Sequence, residues 1–445
     1  MFKKVTVILF VLLLLSSCSL KNINLTEPES VSFDSGNDNC PNTDDIIADE
    51  YRGVWINYNE LSMKSVGGGT AEDFKNKIDT MFENIKAFGL NTVIFQVRPF
   101  SDSFCSSEIF PWSSYITGEQ GKNPGYDPFL IATNEAEKYG LKIEAWINPY
   151  RVSYKDNFDD LSESNPAKQW YTDNPLTDDL IITGSGIYYN PSSKRAQRII
   201  IDGVREIVKN YNISAIHMDD YFYPTVDEGV DVDLYTNYRN EGGELSLDDW
   251  RRENVNTFIS GLYSSVKSIK QDVKVVISPA GDIEKNYSML YADVLKWCSQ
   301  GGYADIIVPQ LYYGFKNSSK PFLKMLNLWS EAVKSGNVKL CVGLAYYKSG
   351  KTDDNAGDGI NEWCENGNIC SEEIRYSRKK DNYCGFSVYS YSYLFAENKS
   401  ENAEKEYVDV DAEVSNEVSK RYWEYPSWIG TQEKIENNVR YVYET

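Results

Sequence analysis

The stretch AIHMDDYFYP, Ala215 to Pro224, contains the one histidine of the chain, followed after Met218 by two adjacent aspartates. Carboxylates set this close repel each other, so one keeps a proton while its neighbour ionises. A proton donor beside a charged carboxylate is the pair that cleavage of a glycosidic bond requires. Two aspartates at a strand end are more often a solvated turn or a helix cap, so the chemical reading depends on what else converges there.

Other short apolar runs also stop in polar or aromatic residues. FQVRP supplies Gln96 and Arg98, and EAWINPYR supplies Glu144, Trp146, Asn148 and Arg151. The histidine run adds His217, Asp219, Asp220 and Tyr221; later runs add Ser278, Asp282, Gln310 and Tyr312. Strand side chains alternate, so Gln96 and Arg98 are expected on one face, Glu144, Trp146 and Asn148 on one face, and His217 with Asp219. At a common opening these groups suit a sugar: aromatic faces stack on pyranose rings, amides and guanidinium groups read hydroxyls, and carboxylates move protons. Asp219 and Asp220 are the expected catalytic pair, with Glu144 and Asp282 as further candidates for the acid. His217 or Arg98 is expected to hold the other carboxylate ionised. Gln96, Arg98, Glu144, Trp146, Asn148, Arg151, His217, Tyr221, Ser278, Gln310 and Tyr312 are the expected substrate contacts. Two schemes follow. Asp219 acts as nucleophile or base with a second carboxyl as acid, or the 2-acetamido group of the substrate attacks while one aspartate orients it and the other protonates the leaving group.

Eight elements must carry those residues to one place. The runs 52–57, 91–97, 141–147, 213–219, 273–279, 304–310, 338–345 and 384–390 are short and rich in β-branched residues, several apolar on both faces. That is the pattern of parallel strands covered by helices. Helical periodicity fills the gaps. After Thr70, residues Phe74, Ile78, Met81, Phe82 and Ile85 form one stripe, with Thr70 and Asp73 at capping-box spacing. Asp127-Pro128 opens a second helix that closes at Gly140, and Ser246 opens a third. Eight strands with crossover helices predict an α/β fold, a (β/α)8 TIM barrel, ahead of a doubly wound open sheet that would want a Gly-rich phosphate loop. The longest connections, 148–191, 220–246 and 346–370, follow strands and belong to the C-terminal face, where such barrels house their chemistry.

Composition narrows the partners. With 66 acidic against 45 basic residues and a formal charge of -21, the chain has no electrostatic basis for holding nucleic acid. One histidine and no zinc-type cysteine spacing argue against a metal centre and against a metal-dependent deacetylase, and no cofactor is expected. MFKK, the apolar run VTVILFVLLLL and then LSSC resemble a bacterial lipoprotein signal, so residues 1–17 are expected to be removed and Cys18 lipidated. Residues 18–49 are too polar to bury a core and are expected to form a tether at a membrane on the extracytoplasmic side. A barrel over 50–395 and an aromatic extension over 396–445, packed on it, complete the expected organisation. Cys341 and Cys384 are expected as buried thiols, and Cys364 with Cys370 as a local disulfide.

The segments RGVWIN, NTVIFQVRPFSDSFCSSEIFPWSSYITG, GYDPF, IEAWINPYR, IHMDDYFYP, WRRENVN and PQLYY resemble the glycosyl hydrolase-like 10 family, in order over residues 50 to 395. The resemblance implies a bacterial (β/α)8 glycosidase, exported or lipid-anchored, that hydrolyses glycan chains, including peptidoglycan strands. Glu144 stands where much of the family is expected to carry His. The aspartate pair also resembles the DxDWEYP strand of chitinases, but Tyr221 occupies the place of the chitinase acid. The rival expectation is a surface glycan-binding lipoprotein on a barrel without catalysis.

Overall fold

The computed structural model describes residues 49–395 apart from position 335. The expected signal segment, Cys18, almost all of the tether and the C-terminal extension lie outside the described residues.

Eleven strands are present among the described residues: β1 (Tyr51–Ile56), β2 (Thr92–Arg98), β3 (Lys142–Ile147), β4 (Arg151–Ser153), β5 (Leu180–Thr183), β6 (Gly186–Tyr189), β7 (Ala215–Met218), β8 (Lys274–Ile277), β9 (Ile306–Ile307), β10 (Lys339–Leu344) and β11 (Tyr383–Val388). Eight of them close into a ring in the order β1-β11-β10-β9-β8-β7-β3-β2. Every pairing around the ring is parallel, and β1 against β11 seals it. Each of the eight runs anticipated from the sequence supplies one barrel strand. The expected (β/α)8 barrel is the fold, and the open sheet is not.

Local signals explain the helices. In Ala71–Ala87 the Thr70 hydroxyl accepts from the Asp73 N–H while the Asp73 carboxylate accepts from the Thr70 N–H, a complete capping box. Asp127 caps Pro128–Tyr139, and Gly140 ends it in the left-handed region. Ser246 caps the long helix Leu247–Ile269. Apolar side chains of the helices and the outward faces of the strands form one buried layer around the ring. A smaller cluster fills the inside of the barrel, with Tyr51, Trp55, Ile94, Trp146, Val276 and Val308.

Three features depart from the sequence reading. Strand β9 has only two residues, because Pro309 lacks the N–H that would continue the ladder; bridges from Gln310 to Ala280 and Gly343 extend the ring instead. The long segment after β3 is not bare loop: it carries the antiparallel sheet β4-β6-β5 and helix Pro166–Asp173. Cys364 and Cys370 are free, not a disulfide, because Cys370 faces the core from helix Ile369–Ser377 while Cys364 lies exposed on the preceding helix. Cys341 is buried and Cys384 partly so, both as thiols.

Candidate active site

Asp219 and Asp220 follow directly on β7, where the backbone leaves the ladder and both side chains are released toward the mouth of the barrel. Trp146, near the end of β3, donates its indole N–H to Asp219 Oδ2 at 3.0 Å, and the Asn148 amide donates to the same oxygen. Asp219 Oδ1 is buried without a partner. Across the opening, Gln310 Nε2 donates to Asp220 Oδ1 at 3.0 Å and to the Ser278 carbonyl at 3.1 Å. The two aspartates, Trp146, Asn148, Ser278 and Gln310 therefore do meet, as the strand ends implied.

The direction of the amide chain is dictated by its first link. The Tyr58 backbone N–H can only donate, and it donates to Gln96 Oε1 at 2.9 Å. Gln96 Nε2 must then donate to Asn148 Oδ1, at 2.5 Å, which turns the Asn148 NH2 group toward Asp219. Gln96 thus orients Asn148, which in turn orients the carboxylate.

Burial pushes the Asp219 carboxyl up to about 7, and repulsion from Asp220 adds to this; Arg151, Trp146 and Asn148 oppose it. Burial likewise raises Asp220 above the usual carboxylate range, against the Gln310 hydrogen bond and the charges of Lys285 and Arg151. A pair raised this way takes up one proton near neutrality, giving one acid and one base.

Several expected roles are corrected by position. Arg98 does not share the face of Gln96, because β2 bulges between them: Gln96 pairs with Trp146, and Arg98 with Ile147. Its guanidinium turns outward over the Phe110 ring and under Gly203 of helix Lys194–Asn210, with both terminal nitrogens buried and unpartnered. A Cβ at Gly203 would lie 2.5 Å from that guanidinium, so the helix needs glycine to pass over it. His217 points into the barrel beneath the mouth, where Nδ1 meets Glu144 Oε2 at 2.6 Å and Nε2 meets Ser278 Oγ at 2.9 Å. Neither His217 nor Arg98 holds an aspartate ionised; that falls to Trp146, Asn148 and Arg151. Glu144 is occupied in the same place, since Tyr51 also donates to Oε2 at 3.0 Å, and so it is no acid of the mouth. Asp282 caps helix Ile283–Ser288; against the effect of burial, the Lys320 ammonium 2.5 Å away keeps its carboxyl below the usual range, which removes it as a proton donor. Trp146 contributes its N–H rather than a stacking face, because its ring is buried edge-on to Trp55 at 4.7 Å.

Tyr312 lies against Tyr347, and Arg151 is collared by Phe100, Tyr154 and Tyr221. Phe100 and Tyr154 were not anticipated: Phe100 lies two residues past the end of β2 and Tyr154 one past β4, in connections whose course the alternation along a strand does not predict. Among the described residues no three His, Cys, Asp or Glu side chains converge so as to hold a metal ion.

A family model described as glycosyl hydrolase-like 10 matches residues 50–358. Glycosyl hydrolase YngK of Bacillus subtilis is 34% identical over 318 residues, covering 67% of this chain and 61% of that protein, so the chain spans less than two thirds of that relative. Glycosyl hydrolase DigH of Escherichia coli K12 is 31% identical over 401 residues, 82% of this chain and 88% of its own. Among solved structures, the PgaB (BpsB) glycoside hydrolase domain from Bordetella bronchiseptica superposes with a TM-score of 0.51 at 11% identity, covering 76% of this chain and 94% of that one, a likeness of fold. The chain belongs to the glycosyl hydrolase-like 10 family, and with that membership it is a glycoside hydrolase on a (β/α)8 barrel.

Proposed function

We propose that the protein is an exported, lipid-anchored enzyme that hydrolyses an N-acetylated cell-wall glycan such as peptidoglycan strands, with Asp219 and Asp220 as its catalytic carboxyls. The observation that carries this reading is the asymmetry of the pair. Asp219 is fixed through Oδ2 by two donors while Oδ1 lacks any partner. A buried oxygen left this way is costly until a proton or a substrate donor satisfies it. An acetamido N–H is such a donor. Asp219 would accept it, orient the acetamido oxygen toward the anomeric carbon and hold the developing positive charge, while Asp220 protonates the leaving oxygen. Water then opens the cyclic intermediate with Asp220 as base, so that the proton lent in the first step returns. Gln310 and Ser278 keep Asp220 in place.

Export and anchoring are supported by the order of the first eighteen residues, MFKK, an apolar run and LSSC. Labelling with a radioactive fatty acid should mark the wild-type chain and not Cys18→Ala. The substrate class is tested by digesting purified peptidoglycan glycan strands, chitin oligosaccharides and an unacetylated β-glucan, with products identified by mass spectrometry. Products are expected from acetamido-bearing chains; products from the β-glucan alone would overturn the reading.

A further inference from the structure

Arg151 and Arg98 are the two guanidinium groups expected at the mouth, and their surroundings differ. Both terminal nitrogens of Arg98 are sealed from solvent. Those of Arg151 are not, although the residue as a whole is 5% exposed. Its one hydrogen bond runs from Nε to the Pro99 carbonyl at 3.3 Å, and it forms no ion pair among the described residues. Three rings flank it, Phe100 and Tyr154 at 4.8 Å and Tyr221 at 4.7 Å. Tyr154 and Tyr221 are themselves about half exposed, so the collar opens outward. Arg151 stands three residues after Asn148, and its charge reaches both Asp219 and Asp220.

We propose that Arg151, within the collar of Phe100, Tyr154 and Tyr221, is a subsite for a carboxylate substituent on a sugar next to the cleavage point. The inference rests on the acetamido-glycan reading above and narrows it to acid-bearing chains. A guanidinium presents parallel N–H groups that match the two oxygens of a carboxylate, and stacking rings hold the fork rigid while stripping its water. Hydroxyls alone would not need a full charge there. The charge of Arg151 acts on Asp219 and Asp220 only across space, without an ion pair among the described residues, so its terminal N–H groups keep hydrogen-bonding capacity that an anionic substituent can take up. The exposed tyrosine rings add flat surfaces for the sugar that carries the acid.

The test compares two forms of one substrate: peptide-free peptidoglycan strands with free carboxylates, and the same strands amidated with a carbodiimide and methylamine. For the wild-type protein, kcat/KM is expected to favour the acid form by about 10- to 100-fold, the range of a charge-assisted hydrogen-bonded pair. R151M should bring that ratio toward one, and R151K, which keeps charge without the fork, should fall between. A wild-type ratio near one overturns the inference whatever the variants do. So does an equal loss on both forms in R151M, which would mean that Arg151 acts only through Asp219. Cleavage of chitin oligosaccharides but of neither peptidoglycan form overturns the inference and leaves the acetamido-glycan reading standing; cleavage of none of them overturns that reading itself.

Discussion

Two close polar pairs, one built on His217 and one on Asp219, sit a layer apart along β7, and they are built to opposite ends. In the barrel interior His217 meets Glu144 and Ser278, and Glu144 also takes the Tyr51 hydroxyl. At the mouth, two residues further on, Asp219 keeps one oxygen unpartnered beside a second carboxyl, and burial and repulsion raise it to about 7. The interior pair offers the substrate nothing. The mouth pair leaves Asp219 Oδ1 without a partner, and that deficit is what a ligand can fill.

The largest effect should come from the mouth. Asp220→Asn should lower kcat on native glycan by about 10²–10⁴-fold, the usual worth of a general acid, yet spare aryl glycosides whose leaving group needs no proton. Asp219→Asn should lower turnover of both substrates. Equal losses on aryl substrates in the two variants would remove the distinction between orienting and protonating roles. In the interior, Glu144→Leu strips His217 and the Tyr51 hydroxyl of a partner, and urea unfolding should show a loss of about 3–5 kcal/mol. A tenfold fall in kcat with unchanged stability would instead make Glu144 part of the catalytic site.

Smaller shifts refine the contrast. Asn148→Ala removes a donor to the Asp219 anion, so its carboxyl should rise further. Loss of the second proton from the pair ends the supply of acid, so the alkaline limb of kcat/KM should lie near pH 7 in the wild type and move upward in Asn148→Ala. Because the folded value of Asp219 is raised, its contribution to stability is fully present below the unfolded value and is lost as pH climbs toward 7. Asp219→Asn should therefore be more stable than the wild type at pH 8, by about 1–2 kcal/mol in thermal or urea unfolding, and no more stable at pH 4. Equal stability at both values would show that the carboxyl is not held against its charge.

Much of this was legible along the chain. Thr70 with Asp73, Asp127-Pro128 with Gly140, and Ser246 are local signals, read by hydrogen bonds within a single turn, and they mark helix ends regardless of the rest of the fold. Asp219, Asp220, Asn148 and Gln310 could be assigned to one opening because a parallel barrel presents the ends of all its strands on one face. Alternation failed at Arg98, since a single bulged residue reverses a side chain and nothing in FQVRP announces it.

What the sequence by itself determined is the set of elements and the end of the barrel that carries the chemistry, because periodicity and capping act over a few residues. Only the tertiary structure decided which polar group became partner and which was left open. Depth along the strands seals Glu144 with His217 and leaves Asp219 short of one hydrogen bond, and loops distant in sequence close aromatic rings around Arg151. Such outcomes depend on contacts between residues far apart in the chain, which no local pattern encodes.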